Sequence, residues 1–320
     1  MRGGPRRYGA LEIVDEVIDK IAPLAQPAEK KKTPPVRPNG CHETAFGSPR
    51  DFLDNRFVYA VVSARARGLS VGINMCPDKH CNFQCVYCEV HRNGDAGQEH
   101  LDVDAMAAEL KKTLAFVRGG RLRERPWYRS LPDELLQLRH VALSGDGEPT
   151  LSPSFADALQ AVVHVRALSG FPFFKLVLLT NATGLDLPHV QHGLKHFTRS
   201  DEVWAKLDGG TQAYVNRVNR PSVPLEKILS NILLLGRQRP VVIQSLFPAI
   251  NGEEPPLEEI EQYAHRLLEL KKAGAQISLV QIYSGTRPSP NSESGHLPLK
   301  ALSRIAQIVR QTTGLTAEVF

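Results

Sequence analysis

The chain has 320 residues, 42% hydrophobic and 23% charged, with a formal net charge of +5. That composition excludes a disordered or collagen-like chain and supplies a sizeable core, in one barrel-sized domain or two ordinary ones. The mild basic excess suits an anionic ligand or an RNA and selects neither.

Residues 1–50 hold seven of the 23 prolines and the run Lys30–Lys32. They read as a flexible basic arm with one short helix carrying Leu11, Val14, Ile18 and Ile21. The start of the arm lacks the apolar stretch and cleavage site of a signal peptide, and no segment of the chain approaches the ~18 consecutive apolar residues of a membrane span. The expectation is therefore a cytoplasmic protein with no membrane partner and with reduced thiols. Five cysteines, four of them between positions 76 and 88, then read as a metal site rather than a disulfide framework.

Residues 51–320 read as the core domain with a C-terminal extension. Its first strand, 69–75, runs into Cys76-Pro-Asp-Lys-His-Cys81-Asn-Phe-Gln-Cys85-Val-Tyr-Cys88. Cys81, Cys85 and Cys88 supply three thiolates from one loop. A [4Fe–4S] cube with three protein ligands keeps one iron open, and an open iron can chelate S-adenosylmethionine (SAM) for radical chemistry. Two closed alternatives stand beside this: a zinc centre completed by Cys76, His80 or His91, and a cluster with Cys76 as fourth ligand. Cys41 reads as an uninvolved thiol. Lys79 is a candidate for a Schiff base with a keto acid, set against the ordinary solvated lysine of a polar loop.

A helix follows, capped by Asp102 and carrying Met106, Leu110 and Leu114. The segment RGGRLRERPWYRS (118–130) interleaves arginines with Trp127 and Tyr128, a pattern that can hold single-stranded nucleic acid. Lying after a helix and before a strand, it belongs on the face away from the chemistry and reads as a connector.

The second strand, 141–145, ends in Ser144-Gly145-Asp146-Gly147-Glu148-Pro149-Thr150. Its glycines permit close backbone approach to a ligand, and Glu148 offers an acceptor for an ammonium group. Ser154 opens the next helix. Strands follow at 175–181, 202–208, 241–247 and 276–283, with helices near 187–197, 225–236, 257–273 and 298–312. Their ends carry Thr180, Asn181, Asp208, Gln244 and Gln281, each a candidate contact for ribose, adenine or substrate and each equally a turn or capping residue. After Tyr283 the run Ser284-Gly-Thr-Arg-Pro-Ser-Pro-Asn is turn-rich, with Arg287 as a loop arginine. Six strand–helix units imply an α/β fold with a parallel sheet, either a partial (β/α)6 TIM-like barrel or a flat doubly wound sheet.

The cysteine spacing, Tyr87 before the third cysteine and the Gly147-Glu148-Pro149 element together resemble the radical SAM superfamily. The segments FVYAVVSARARGLSVGINMCPDKHCNFQCVYCEVHR, VALSGDGEPTL, LVLLTNATGL, VWAKLDGGTQAYVNRVNRP and LFPAINGEEPPLEEIEQYA resemble its wyosine-synthase-like branch, over roughly residues 56–290. The resemblance implies a [4Fe–4S] cluster on Cys81, Cys85 and Cys88. It implies that Gly147, Glu148 and Pro149 meet the SAM amino group, and that Asn181 and Asp208 lie near the sugar. It further implies reductive cleavage of SAM to a 5′-deoxyadenosyl radical, an electron donor such as flavodoxin or ferredoxin, and tRNA or a nucleoside among the substrates to test. Only Cys41 and Cys76 remain for a second cluster, which puts the wyosine reaction itself in doubt. A non-catalytic zinc or iron–sulfur RNA-binding protein, and a radical SAM activase of a protein partner, are the competing expectations.

Overall fold

Each strand of the sheet has two opposite faces because successive side chains alternate, and this alternation organises the molecule. The structure is a computed structural model and describes residues 45–46, 52–90, 100–168, 173–285 and 291–320. The predicted arm helix, Lys30–Lys32, Cys41, His91 and Arg287 lie outside the described residues.

The strands are β1 (Val58–Ser63), β2 (Gly68–Asn74), β3 (Leu138–Ser144), β4 (Lys175–Thr180), β5 (Glu202–Lys206), β6 (Val241–Leu246), β7 (Ala249–Ile250), β8 (Ile277–Tyr283), β9 (Ser294–Gly295) and β10 (Ala317–Val319). The helices are α1 (Val103–Arg118), the single turn α2 (Asp133–Leu136), α3 (Phe155–Leu168), α4 (Pro188–Leu194), α5 (Gln212–Val218), α6 (Leu225–Gln238), α7 (Leu257–Lys272) and α8 (Leu299–Thr313).

Eight strands form one sheet in the order β1-β2-β3-β4-β5-β6-β8-β10. All neighbours are parallel except the β1–β2 hairpin. The six predicted strands are β2 to β6 and β8, paired in sequence order. A doubly wound sheet reverses its order part-way. This one never does, so right-handed crossovers place the helices on one face, and the partial TIM-like barrel is the form adopted. Asp102 caps α1 as expected, its side chain accepting from Ala105 N at 3.0 Å.

Val71, Ile73, Val141, Leu143, Leu176, Leu178, Val203 and Ile243 face the helices and share their core. Residues in the opposite phase line the barrel interior: Val177, Leu179, Trp204, Val242 and Leu279 pack as one cluster. That interior also holds Ser70, His140, Lys206, Gln244 and Gln281.

The strand β1, the short helix α5 and the three-residue β10 were not among the expected elements. The arginine-rich segment is a packed connector. Tyr128 is fully buried and donates to Ala60 O at 3.0 Å, Arg123 donates to the carbonyls of Arg129 and Leu131, and Arg121 pairs with Glu124 at 3.0 Å. Among the described residues no helix is long and apolar enough to cross a membrane.

Candidate functional site

The loop after β2 carries Cys81, Cys85 and Cys88 into one open cleft. It is held by backbone bonds to the end of α5, with Gln84 N donating to Asn219 O at 2.9 Å and Val86 N to Val218 O at 2.8 Å. The helix that sequence patterning missed therefore fixes the cysteine loop. Cys76 does not join the other three. It is buried, its Sγ donates to Glu148 O at 3.2 Å, and with His80 it lines a separate pocket. Lys79 sits in the same turn with left-handed backbone and lines neither pocket.

The turn after β3 packs directly on this loop. Glu148 N donates to His80 O at 2.9 Å and Met75 N to Ser144 O at 2.8 Å. Asn74, absent from the predicted site, bridges them: its Oδ1 accepts from Asp146 N at 3.0 Å and its Nδ2 donates to Asp146 Oδ2 at 2.8 Å. A Cβ on Gly147 would stand 1.9 Å from His80 O, so only glycine fits there. Gly145 has φ +143°, which also favours glycine.

Glu148 is buried, and its carboxylate meets four internal donors. Oε1 accepts from Thr150 N (3.1 Å), Thr150 Oγ1 (2.7 Å) and Thr180 Oγ1 (2.5 Å), and Oε2 from Asn181 N (2.7 Å). Burial raises its pKa, and these bonds only partly oppose that. Asn181 is equally committed. Its Oδ1 accepts from Thr183 Oγ1 at 2.7 Å, and its Nδ2 donates to Asn82 Oδ1 at 2.8 Å, back on the cysteine loop. Both side chains brace the cleft walls through these bonds.

The opposite wall is built on Asp208, also buried. Tyr87 OH donates to its Oδ2, Asn219 Nδ2 donates to the same oxygen at 2.7 Å, and Leu246 N donates to Oδ1 at 2.8 Å. Asn219 Nδ2 also stands 2.9 Å from Tyr87 OH and 3.4 Å from Cys85 Sγ. Burial pushes the Cys85 thiol up to about 12, with Asp208 adding to it and Lys206 opposing. Burial and the Asp208 charge likewise raise the Tyr87 phenol. Lys206, which the predicted site lacked, lies in the cleft with Nζ 5.0 Å from the Tyr87 ring centroid and 3.5 Å from Asp208 Oδ2. Its ammonium stays charged because Asp208 and its neighbours outweigh its burial. Of the other expected residues, Thr180 and Gln244 line the cleft, and Gln281 accepts from Gln244 Nε2 at 3.2 Å.

No family model matches the chain. It is 32% identical over 183 residues to a UPF0026 protein of Synechocystis, covering 55% of this chain and 57% of that one. It is 26% identical over 245 residues to a UPF0026 protein of Helicobacter pylori, covering 74% and 70%. The match thus spans little more than half the length of the Synechocystis relative. Among solved structures, TYW1 with a lysine-pyruvate adduct bound, a wyosine synthase, superposes with TM-score 0.52 at 13% identity, over 80% of this chain and 84% of that one. Streptococcus suis SuiB bound to S-adenosylmethionine superposes with TM-score 0.54 at 14% identity, over 80% and 51%. The fold is that of the radical SAM enzymes.

The donor set in this cleft fits an iron–sulfur cluster with one open iron. Three thiols share a cleft, while both described candidates for a fourth ligand, Cys76 and His80, line the other pocket. Among the described residues no three Cys, His, Asp or Glu side chains close round a single metal ion. A cubane, with irons at separate corners, takes its thiolates from wider spacing.

Proposed function

We propose that this chain is a radical SAM enzyme in which Cys81, Cys85 and Cys88 hold a [4Fe–4S] cluster and SAM occupies the cleft beside them. What supports this most is the sharing of one cleft by the three cysteines and the 145–149 turn, with Cys76 turned away. When bound, the cluster would supply one electron to SAM, whose carbon–sulfur bond breaks to release a 5′-deoxyadenosyl radical.

The chain's own residues do the positioning. The Gly147 carbonyl of the cleft-lining turn offers an acceptor for an ammonium group, and Glu148 fixes that backbone by tying the turn after β3 to the end of β4. Asn181 braces the cysteine loop from the β4 end. The Asp208 carboxylate orients Tyr87 and Asn219 beside Cys85. A flavodoxin or ferredoxin is the proposed electron donor. The wyosine reaction on tRNA is disfavoured, because a second cluster would have only Cys41 and Cys76 left, and Cys76 is buried in a bond to Glu148 O.

The test is anaerobic reconstitution with iron and sulfide. Wild type and Cys76→Ala are expected to bind about four iron per chain and, once reduced, to release 5′-deoxyadenosine from SAM. Cys85→Ala is expected to do neither. Loss of iron from Cys76→Ala, or fully loaded wild type that leaves SAM intact, would overturn the proposal.

A further inference from the structure

Beneath the cysteine cleft the barrel interior carries two cations around one aromatic ring. Arg65, in the turn between β1 and β2, lies with Cζ 4.0 Å from the Tyr283 ring centroid. Lys206 Nζ lies 5.8 Å from the same centroid and 3.4 Å from its hydroxyl. The charge of Arg65 reaches both Lys206 and His140.

Two side-chain nitrogens here are buried without a hydrogen-bond partner, Arg65 Nε and His140 Nδ1. Native proteins rarely leave such atoms unsatisfied, so each calls for a ligand or water. His140 Nε2 stands 2.9 Å from Ser70 Oγ. With Ser70 donating to it, the ring proton sits on Nδ1, which becomes a donor. The acidic groups nearby are occupied. Asp208 serves Tyr87, Asn219 and Leu246 N, Glu202 serves Lys175 and Trp204, and Glu318 serves Arg67. Lys206 has only long contacts, 3.4 and 3.5 Å, leaving donor capacity.

We propose that this interior holds the anionic group of the substrate, a carboxylate or a phosphate, between Arg65 and Lys206, with His140 Nδ1 as a further donor. A guanidinium stacked on an aromatic ring presents its planar fork in one orientation, matched to a two-oxygen anion. The assignment rests on the cleft above being the reaction centre.

The chain contains two tryptophans. Trp127 is half-exposed on the surface, whereas Trp204 lies inside, 5.3 Å from the His140 ring. In the full chain carrying Trp127→Phe, Trp204 therefore reports on the interior. Inorganic phosphate and, separately, succinate would be titrated at constant ionic strength. A saturable change in Trp204 emission is expected with at least one, and the responding anion identifies the group. Arg65→Gln is expected to raise the half-saturation point at least tenfold, and Lys206→Met, the second variant, to do likewise. No saturable change with either anion, or an unshifted midpoint in whichever variants fold, overturns the proposal. Emission does not depend on SAM cleavage, so failure here with intact 5′-deoxyadenosine release rejects only the anion site. Saturable emission without SAM cleavage rejects only the reaction.

Discussion

Substituting Gly147 by alanine probes the coupling between the cysteine loop and the turn after β3. The new Cβ would lie 1.9 Å from His80 O and 2.7 Å from both His80 C and Cys76 Cβ. Two of these are backbone atoms, so no side-chain rotation relieves the clash. The turn and loop must separate on the order of 1 Å, which a close-packed interior resists. Overpacking of this kind costs about 1–3 kcal/mol, and the separation stretches the 2.9 Å bond from Glu148 N to His80 O, worth roughly 1 kcal/mol net. A total near 2–4 kcal/mol corresponds to a fall in melting temperature of roughly 3–7 °C for a domain of this size. Gly285, whose Cβ would meet nothing within 4 Å, serves as control, and its alanine variant is expected to melt within the ordinary surface range of about ±0.5 kcal/mol. Differential scanning calorimetry with iron analysis after reconstitution measures both consequences. If Gly147→Ala melted with wild type and bound iron equally well, the coupling between loop and turn would be refuted.

Other substitutions test the scaffold. The Arg166–Asp201 pair spans 2.8 Å, with side chains 7% and 0% exposed; Asp201→Asn strands a buried cation and is expected to cost about 3–5 kcal/mol by urea denaturation. Burial pushes the Asp201 carboxyl up, but Arg166 and the amides of Leu176 and Thr198 outweigh it and hold it low. Its stabilisation is thus present above the usual carboxylate range and lost as pH falls through the lowered value, and a mutant with unchanged acid stability would contradict this. His140 is held down to about 3 by burial, then by Lys175 and Arg65. Below pH 6.5 the unfolded chain takes up a proton that the folded chain refuses, so this contribution declines between pH 6.5 and about 3. Urea midpoints at pH 7 and 5 should diverge less in His140→Phe, by about 2 kcal/mol, and equal divergence in both proteins would reject the assignment.

The six parallel strands were legible because each is a short apolar run bounded by turn chemistry, and strand–helix alternation then dictated which ends share a face. That the cysteine triplet and the 145–149 turn share a cleft was legible from their placement after consecutive strands. The orientation of Cys76 was not legible, since it depends on a bond to Glu148 O, 72 positions away. At Glu148 the sequence shows a carboxylate and hides the four internal donors that meet it. Asn82 and Asn219 went unnoticed among ordinary polar loop residues; only folding brings them to Asn181, Asp208 and Cys85. Lys206 sat within a strand pattern, where strict alternation from Trp204 was the available signal that it points inward. Arg65 resembles any hairpin-turn arginine until the sheet curls round to Tyr283.

That curling leaves a seam. Parallel strands zip to neighbours a few dozen positions along the chain, but Arg67 and Glu318 meet at 2.6 Å across 251 positions. A water-exposed ion pair contributes roughly 0–1 kcal/mol, while the entropy of joining distant segments grows with the logarithm of their separation. Among the described residues the strands β1 and β10 are the two edges of the sheet and share no ladder, so the join between the ring's ends is made where Arg67 meets Glu318 and Arg65 stacks on Tyr283.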